Sequence, residues 1–139
     1  MILLVDDEQR HMDVYARQLS ESGYTVMYQQ NVDAALKFVR ENLANIELLI
    51  LDIMMPPGLS FKDDDTELGL KTGIRFFDKV RELVPDLPVM MLTNVSDYQV
   101  AKTFSEKRNS WFLTKKDYLP YEVVKVVNSI IKRKEELSK

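Results

Sequence analysis

The chemistry available to this chain is concentrated where short apolar runs end. ILLV precedes Asp6, Asp7 and Glu8; LLIL precedes Asp52; VMML precedes Thr93; and WFLT precedes Lys115. Adjacent carboxylates repel one another and are costly to desolvate. An apolar run that stops on three acids therefore calls for a compensating cation. Brought to one rim, Asp6, Asp7 and Asp52 would offer oxygen ligands on rigid supports, a donor set suited to Mg²⁺. Such an ion keeps several waters and leaves room for a phosphoryl oxygen. A neighbouring carboxylate can then attack phosphorus and become an acyl phosphate. The hydroxyl of Thr93 and the ammonium of Lys115 would hold the remaining phosphoryl oxygens. Singly, each residue has a plainer use. Asp6 to Glu8 suit a helix N-terminus, Asp52 a turn or cap, Thr93 a loop and Lys115 solvent. Their joint placement at four strand ends favours the chemical reading, because open α/β sheets bind ligands beyond the carboxyl ends of their strands.

The elements that must position them follow from the apolar pattern. Ile2 to Val5, Leu48 to Leu51 and Val89 to Leu92 are almost wholly apolar, as strands covered on both faces of a parallel sheet require. Tyr24 to Tyr28 is more polar and fits an edge strand. Trp111 to Thr114 supplies a fifth. Met12, Tyr15 and Leu19 share one helical stripe, with Gly23 placed as a C-terminal cap. Asn31 caps a second helix carrying Ala35, Leu36 and Val39. Ile74, Phe77, Val80 and Val84 mark a third, stopped before Pro85. Ser96 and Gln99 have capping-box spacing for a fourth, with Val100 and Phe104 on one side. Pro120 opens a fifth that buries Val123, Val127 and Ile130. Five βα units predict a doubly wound, flavodoxin-like α/β fold with five parallel strands in the order 2-1-3-4-5. One stretch is too long for a simple connection, which usually takes roughly 2–6 residues. The segment PPGLSFKDDDTELGLKT, at about 56–72, is a lid or a surface excursion, and its acids Asp63, Asp64 and Asp65 read as a solvated charge run.

Composition narrows the function classes. A chain of 139 residues with 45% apolar content suits one domain with one core. The net charge of −3 argues against direct nucleic-acid binding. With no cysteine and one histidine, His11, thiol catalysis and Cys- or multi-His metal sites are excluded. His11 itself reads as a solvated polar residue. The apolar start lacks a basic n-region, and no segment has the roughly 18 apolar residues of a membrane span. The expectation is a cytoplasmic protein with no membrane partner.

In order along the chain, VDDE, LDIMMP, VMMLT and FLTKK resemble the motifs of a response-regulator receiver domain of two-component signalling. The resemblance covers nearly the whole chain and treats 1–139 as one such domain with an extended loop. It implies that Asp52 accepts a phosphoryl group from a histidine kinase or phosphotransfer protein. It implies that Asp6, Asp7, Asp52 and the backbone carbonyl of Met54 handle Mg²⁺, Asp6 through water. Thr93 and Lys115 would engage the phosphoryl group. Phe112 falls where the family often carries a switch aromatic, and Gly73 matches the glycine that opens the third helix. Signalling would follow by population shift. Thr93 moves toward the phosphoryl group, Phe112 rotates inward, and the surface of helix 4, strand 5 and helix 5 changes. A phosphorylation-dependent homodimer is compatible with this. No output domain follows, so the expectation is action through a downstream protein, or a domain excised from a longer chain.

Departures from the family pattern keep alternatives in view. Lys115 is followed by Lys116 where proline is usual, which unsettles the aim of Lys115. Asn94 replaces a small residue and should change the dephosphorylation rate. The intact acidic set opposes a receiver-like interaction module not regulated by phosphorylation, while Lys116 and Asn94 keep that alternative alive. A metal-dependent phosphohydrolase lacks its proton donor, because Met54 stands where a second aspartate would be needed.

Overall fold

A computed structural model describes residues 1–64, 69, 71–94 and 97–137. Five strands alternate with five helices: β1 (Ile2–Val5), α1 (Gln9–Glu21), β2 (Val26–Gln29), α2 (Val32–Glu41), β3 (Leu48–Leu51), α3 (Thr72–Leu83), β4 (Val89–Thr93), α4 (Tyr98–Ser105), β5 (Ser110–Thr114) and α5 (Pro120–Leu137). All strand pairs are parallel and the order is β2-β1-β3-β4-β5. The flavodoxin-like architecture expected from the apolar runs is the one observed.

Period-two alternation along the strands divides the core into two layers. Leu3, Val5, Leu49, Leu51, Val89 and Met91 face α2, α3 and Phe104 of α4. Ile2, Leu4, Leu48, Ile50, Met90 and Leu92 face α1 and α5. Every residue of β1 and β3 is buried, whereas β2 is half-exposed, as an edge strand should be. Among the described residues no helix is long and apolar enough to cross a membrane.

Helix ends and faces refine the sequence reading. Asn31 caps α2 by accepting from the Ala34 N–H at 2.8 Å. Gly23 takes a φ of 98° just past α1, a left-handed conformation that suits glycine. At α4 the observed cap is Asp97, which accepts from the Gln99 and Val100 N–H groups. Ser96, the expected member of a capping box, lies outside the described residues. Val84 is not in α3 but caps its C-terminus, and the buried row is Thr72, Gly73, Phe76, Phe77 and Val80. The three-to-four spacing picked out Phe77 and Val80 but passed over Phe76, their inward-facing neighbour.

The long β3–α3 connection is partly anchored in the core. The described portion runs through Asp64, so Asp65 of the acidic triplet lies outside it. Phe61 is buried and meets Phe76 edge-on at 6.5 Å between ring centroids. Asp33, in the first turn of α2, accepts from the Leu59 and Ser60 N–H groups at 2.9 and 2.8 Å and from the Ser60 hydroxyl. These donors hold the Asp33 carboxyl below its ordinary range, with the Ser60 hydroxyl contributing most. Gly58, at φ 61°, brings the backbone so close that a Cβ would lie 2.4 Å from an Asp33 oxygen. The Met55 N–H also donates to the Gly69 carbonyl at 3.0 Å.

Candidate functional site

Strand register brings the acids together. Val5 lies beside Leu51, and the Asp52 N–H donates to the Val5 carbonyl at 3.0 Å. The next residues on β1 and β3 are thus Asp6 and Asp52, at the same end of the sheet. Asp6, Asp7 and Asp52 each offer an oxygen, and these atoms lie within 4.8 Å of one another. Asp6 and Asp52 are buried, while Asp7 sits on the exposed rim. Rigid carboxylates so close together fit a hard divalent cation well and one another badly.

The other two strands contribute the partners. Thr93 ends β4 fully buried, and its hydroxyl hydrogen-bonds to Asp52. The Lys115 N–H donates to the Thr93 carbonyl at 2.8 Å, which continues the β4–β5 pairing one residue past β5. From there the Lys115 ammonium, only 7% exposed, reaches Asp6 Oδ2 at 2.8 Å and stands 3.6 Å from Asp52 Oδ2. Lys116 therefore does not divert Lys115. It lines instead an open hollow of about 330 Å³ with Arg10, His11, Val14, Tyr15, Asn94, Lys115 and Pro120.

Each polar group of Asp6 has a partner within the protein. Its Oδ1 accepts from the Glu8 N–H at 2.8 Å and its Oδ2 from Lys115. Its carbonyl accepts from the Tyr28 hydroxyl at 2.6 Å, and its N–H donates to the Gln29 carbonyl at 3.3 Å. Asp52 Oδ1 accepts from the Ile53 N–H at 2.7 Å, which leaves Oδ2 facing Lys115.

Ionisation reflects the crowding. Burial pushes the Asp52 carboxyl up and Asp6 adds repulsion; the Thr93 hydroxyl, Lys115 and the Ile53 N–H oppose the rise without cancelling it. Asp7 is also raised, first by burial and then by Asp52 and Glu8, against a hydrogen bond from its own N–H. Burial works against the Lys115 ammonium, but the bond to Asp6 and attraction to Asp52, Asp6 and Glu8 outweigh it and raise its pKa. Burial, then Asp6, Asp13 and Asp7, push the Tyr28 phenol up to about 12, so it remains a proton donor.

The remaining sequence candidates lie around this centre. Met54 is two residues beyond Asp52 and is exposed. Phe112 is half-buried and tilted against Phe104 of α4 at 6.3 Å. Gly73 is pressed against the acidic strand end: a Cβ there would lie 2.1 Å from the Asp52 carbonyl oxygen. His11 is exposed and paired with Glu8 at 2.5 Å. Tyr28 escaped the sequence reading, because an isolated tyrosine on an edge strand carries no motif.

The model of the response regulator receiver domain family matches residues 2–127. Comparison with curated protein sequences finds no match. Among solved structures, the chain is similar to a response regulator receiver domain protein from Clostridium thermocellum, at 23% identity and a TM-score of 0.77, covering 98% of this chain and 97% of that one. It is similar to the receiver domain of NtrX from Brucella abortus at 22% identity and a TM-score of 0.73, covering 95% and 98%. A response regulator from Burkholderia pseudomallei, with a phosphorylated aspartic acid, a calcium ion and citrate, aligns at 19% identity and a TM-score of 0.67, covering 99% of this chain and 71% of that one. At these identities the structural likenesses speak for the fold.

Proposed function

This chain belongs to the response regulator receiver domain family, and from that membership we propose that Asp52 is its phosphoacceptor. Receiver domains are signalling phosphoacceptors rather than ordinary enzymes, and they interact with histidine kinases. The observation that carries the assignment is the cluster of Asp6, Asp7 and Asp52 oxygens within 4.8 Å, with Lys115 beside it. The phosphorylated aspartate and calcium ion of the Burkholderia pseudomallei protein are consistent with it.

An Asp52 carboxylate oxygen attacks the phosphorus of a phosphohistidine on the kinase or phosphotransfer protein. A P–O bond forms as the P–N bond breaks, and the imidazole nitrogen departs with the electron pair. Oδ2 is the better-placed nucleophile, because Oδ1 is occupied by the Ile53 N–H. Asp6, Asp7, Asp52 and the Met54 carbonyl would hold Mg²⁺, with Asp6 acting through water because its oxygens already have protein partners. When bound, Mg²⁺ supplies positive charge beside the phosphoryl oxygens. Lys115 and Thr93 exchange contacts with carboxylates for contacts with the transferred group.

The switch follows from that exchange. Thr93 is the last residue of β4, so its new bond pulls on the connection to α4. Phe112 rotates inward, and the face formed by α4, β5 and α5 changes for a downstream protein, an output domain or a second copy of the chain. Residues 1–139 act as one receiver domain with an extended loop at about 56–72, in which Leu59 and Ser60 are tied to Asp33. Incubation with acetyl phosphate and Mg²⁺, followed by intact-mass measurement, tests phosphoacceptance. The wild type should gain one phosphoryl group and Asp52→Asn none. No gain in the wild type, where a control receiver is labelled, overturns the proposal and leaves an interaction module not regulated by phosphorylation.

A further inference from the structure

We infer that Tyr28 is a positioning residue for the cation site, acting through the peptide plane between Asp6 and Asp7; this rests on the Mg²⁺ reading above. Tyr28 pairs with Leu4 across the β1–β2 ladder, and Asp6 lies two residues beyond Leu4, just past the end of β1. Two residues of strand rise about 6.6 Å. A tyrosine leaning along its strand spans that gap, and its hydroxyl donates to the Asp6 carbonyl at 2.6 Å.

The consequence falls on Asp7. The carbonyl of Asp6 and the N–H of Asp7 belong to one rigid, planar unit and point in opposite directions. Fixing the carbonyl toward β2 therefore fixes the Asp7 N–H away from it. Asp7 leaves the strand end from that peptide, so the phenol fixes the main chain from which the rim carboxylate is presented without touching the carboxylate itself. Two further ties link the end of β2 to this turn. The Asp6 N–H donates to the Gln29 carbonyl at 3.3 Å, and the Gln30 amide donates to the Gln9 side chain at 2.7 Å. The Tyr28 bond is the shortest of the three, and it holds the peptide shared by two candidate ligands.

A turn ordered before the ion arrives binds it at a lower entropic cost. Losing one hydrogen bond of ordinary net strength should weaken Mg²⁺ binding about two- to tenfold. The test is Mg²⁺ titration by calorimetry on the full chain, comparing wild type, Tyr28→Phe and Tyr24→Phe, with urea unfolding of each. Tyr24→Phe is the control, because its hydroxyl donates to Asn128 on α5 and Tyr24 precedes the opposite end of β2. The expected result is a raised Kd for Tyr28→Phe alone, with cooperative unfolding in all three. The carbonyl ¹³C resonance of Asp6 should move in Tyr28→Phe and stay in place in Tyr24→Phe. Equal Mg²⁺ affinity in wild type and Tyr28→Phe overturns the inference, as does an equal loss in both variants, which would mark a general stability effect. A wild type that binds no Mg²⁺ overturns the cation site itself, and this inference with it.

Discussion

Replacing Lys115 by methionine should make the protein less stable and at the same time more dependent on Mg²⁺. The Lys115 side chain is only 7% exposed and stands 2.8 Å from Asp6 Oδ2 and 3.6 Å from Asp52 Oδ2. Methionine keeps much of the side-chain volume and removes the charge. At an effective dielectric of about 20, each contact is worth about 5 kcal/mol of Coulomb attraction. Most of that is offset by desolvation of the ions, and the measured cost of removing one partner from a buried pair is about 3–5 kcal/mol. A single domain has about 5–15 kcal/mol in all, so the loss is a large fraction of the total.

Magnesium should reverse part of it. With Lys115 present, the three aspartates and the ammonium sum to −2, which a divalent ion neutralises. Without it the cluster stands at −3, so the same ion meets more attraction and no competing ammonium. At 100 times its Kd, a ligand stabilises the folded state by about 2.7 kcal/mol, and tighter binding raises that figure. Urea unfolding of wild type and Lys115→Met, with and without Mg²⁺, reads both effects. The variant should lose about 3–5 kcal/mol without the ion, and Mg²⁺ should restore more to it than it adds to the wild type. A variant as stable as wild type, or one that gains no more from Mg²⁺, would refute the claim that Lys115 stands in for the cation.

Two other perturbations probe the same end of the sheet. Gly73→Ala would place a Cβ 2.1 Å from the Asp52 carbonyl oxygen, so α3 or the strand end must shift; an expected loss of about 1–3 kcal/mol is read by urea unfolding, together with weaker Mg²⁺ binding as Asp52 is displaced. The raised pKa of Asp52, caused first by burial, means the folded state holds its proton more tightly than the unfolded chain, so its contribution to stability falls as pH rises from the ordinary aspartate value of 3.8 through the folded pKa. Acetyl phosphate labelling should lose rate on the acid side at a pH above 3.8, and saturating Mg²⁺ should move that limb to lower pH; a limb that ignores Mg²⁺ would count against ion and nucleophile sharing one site.

The parts of this protein legible in its sequence are those in which residue type and placement along the apolar runs point to the same physical use. Short, fully apolar runs bounded by polar residues fit strands covered on both faces, and β1, β3 and β4 are so placed. Charges at the ends of such runs must lie at the sheet's carboxyl edge, which is why Asp6, Asp7, Asp52, Thr93 and Lys115 were found together. Helix faces read less cleanly. The row chosen for α3 included Val84, which lies past the helix, and passed over Phe76, because a stripe about 100° wide admits more than one apolar set.

The β3–α3 connection shows where pattern reading stops. From composition, PPGLSFKDDD is a polar loop with stray apolar residues. Its anchoring depends on a residue elsewhere in the chain, Asp33, whose carboxylate accepts backbone donors from Leu59 and Ser60. The same is true of Tyr28 and Asp6, which lie 22 positions apart. A side chain that bonds to a distant backbone group leaves no local periodicity and demands no particular residue type at the position supplying that group, since every residue has a carbonyl and every residue but proline an N–H. Motifs therefore reveal the side chains that gather at the sheet's carboxyl edge, but not those that hold the main chain around them. Here Asp33, in the first turn of α2, holds the β3–α3 connection, while Tyr28 on the edge strand β2 holds the peptide between Asp6 and Asp7, so substitution at Tyr28 should tune the proposed site while leaving its five clustered side chains intact.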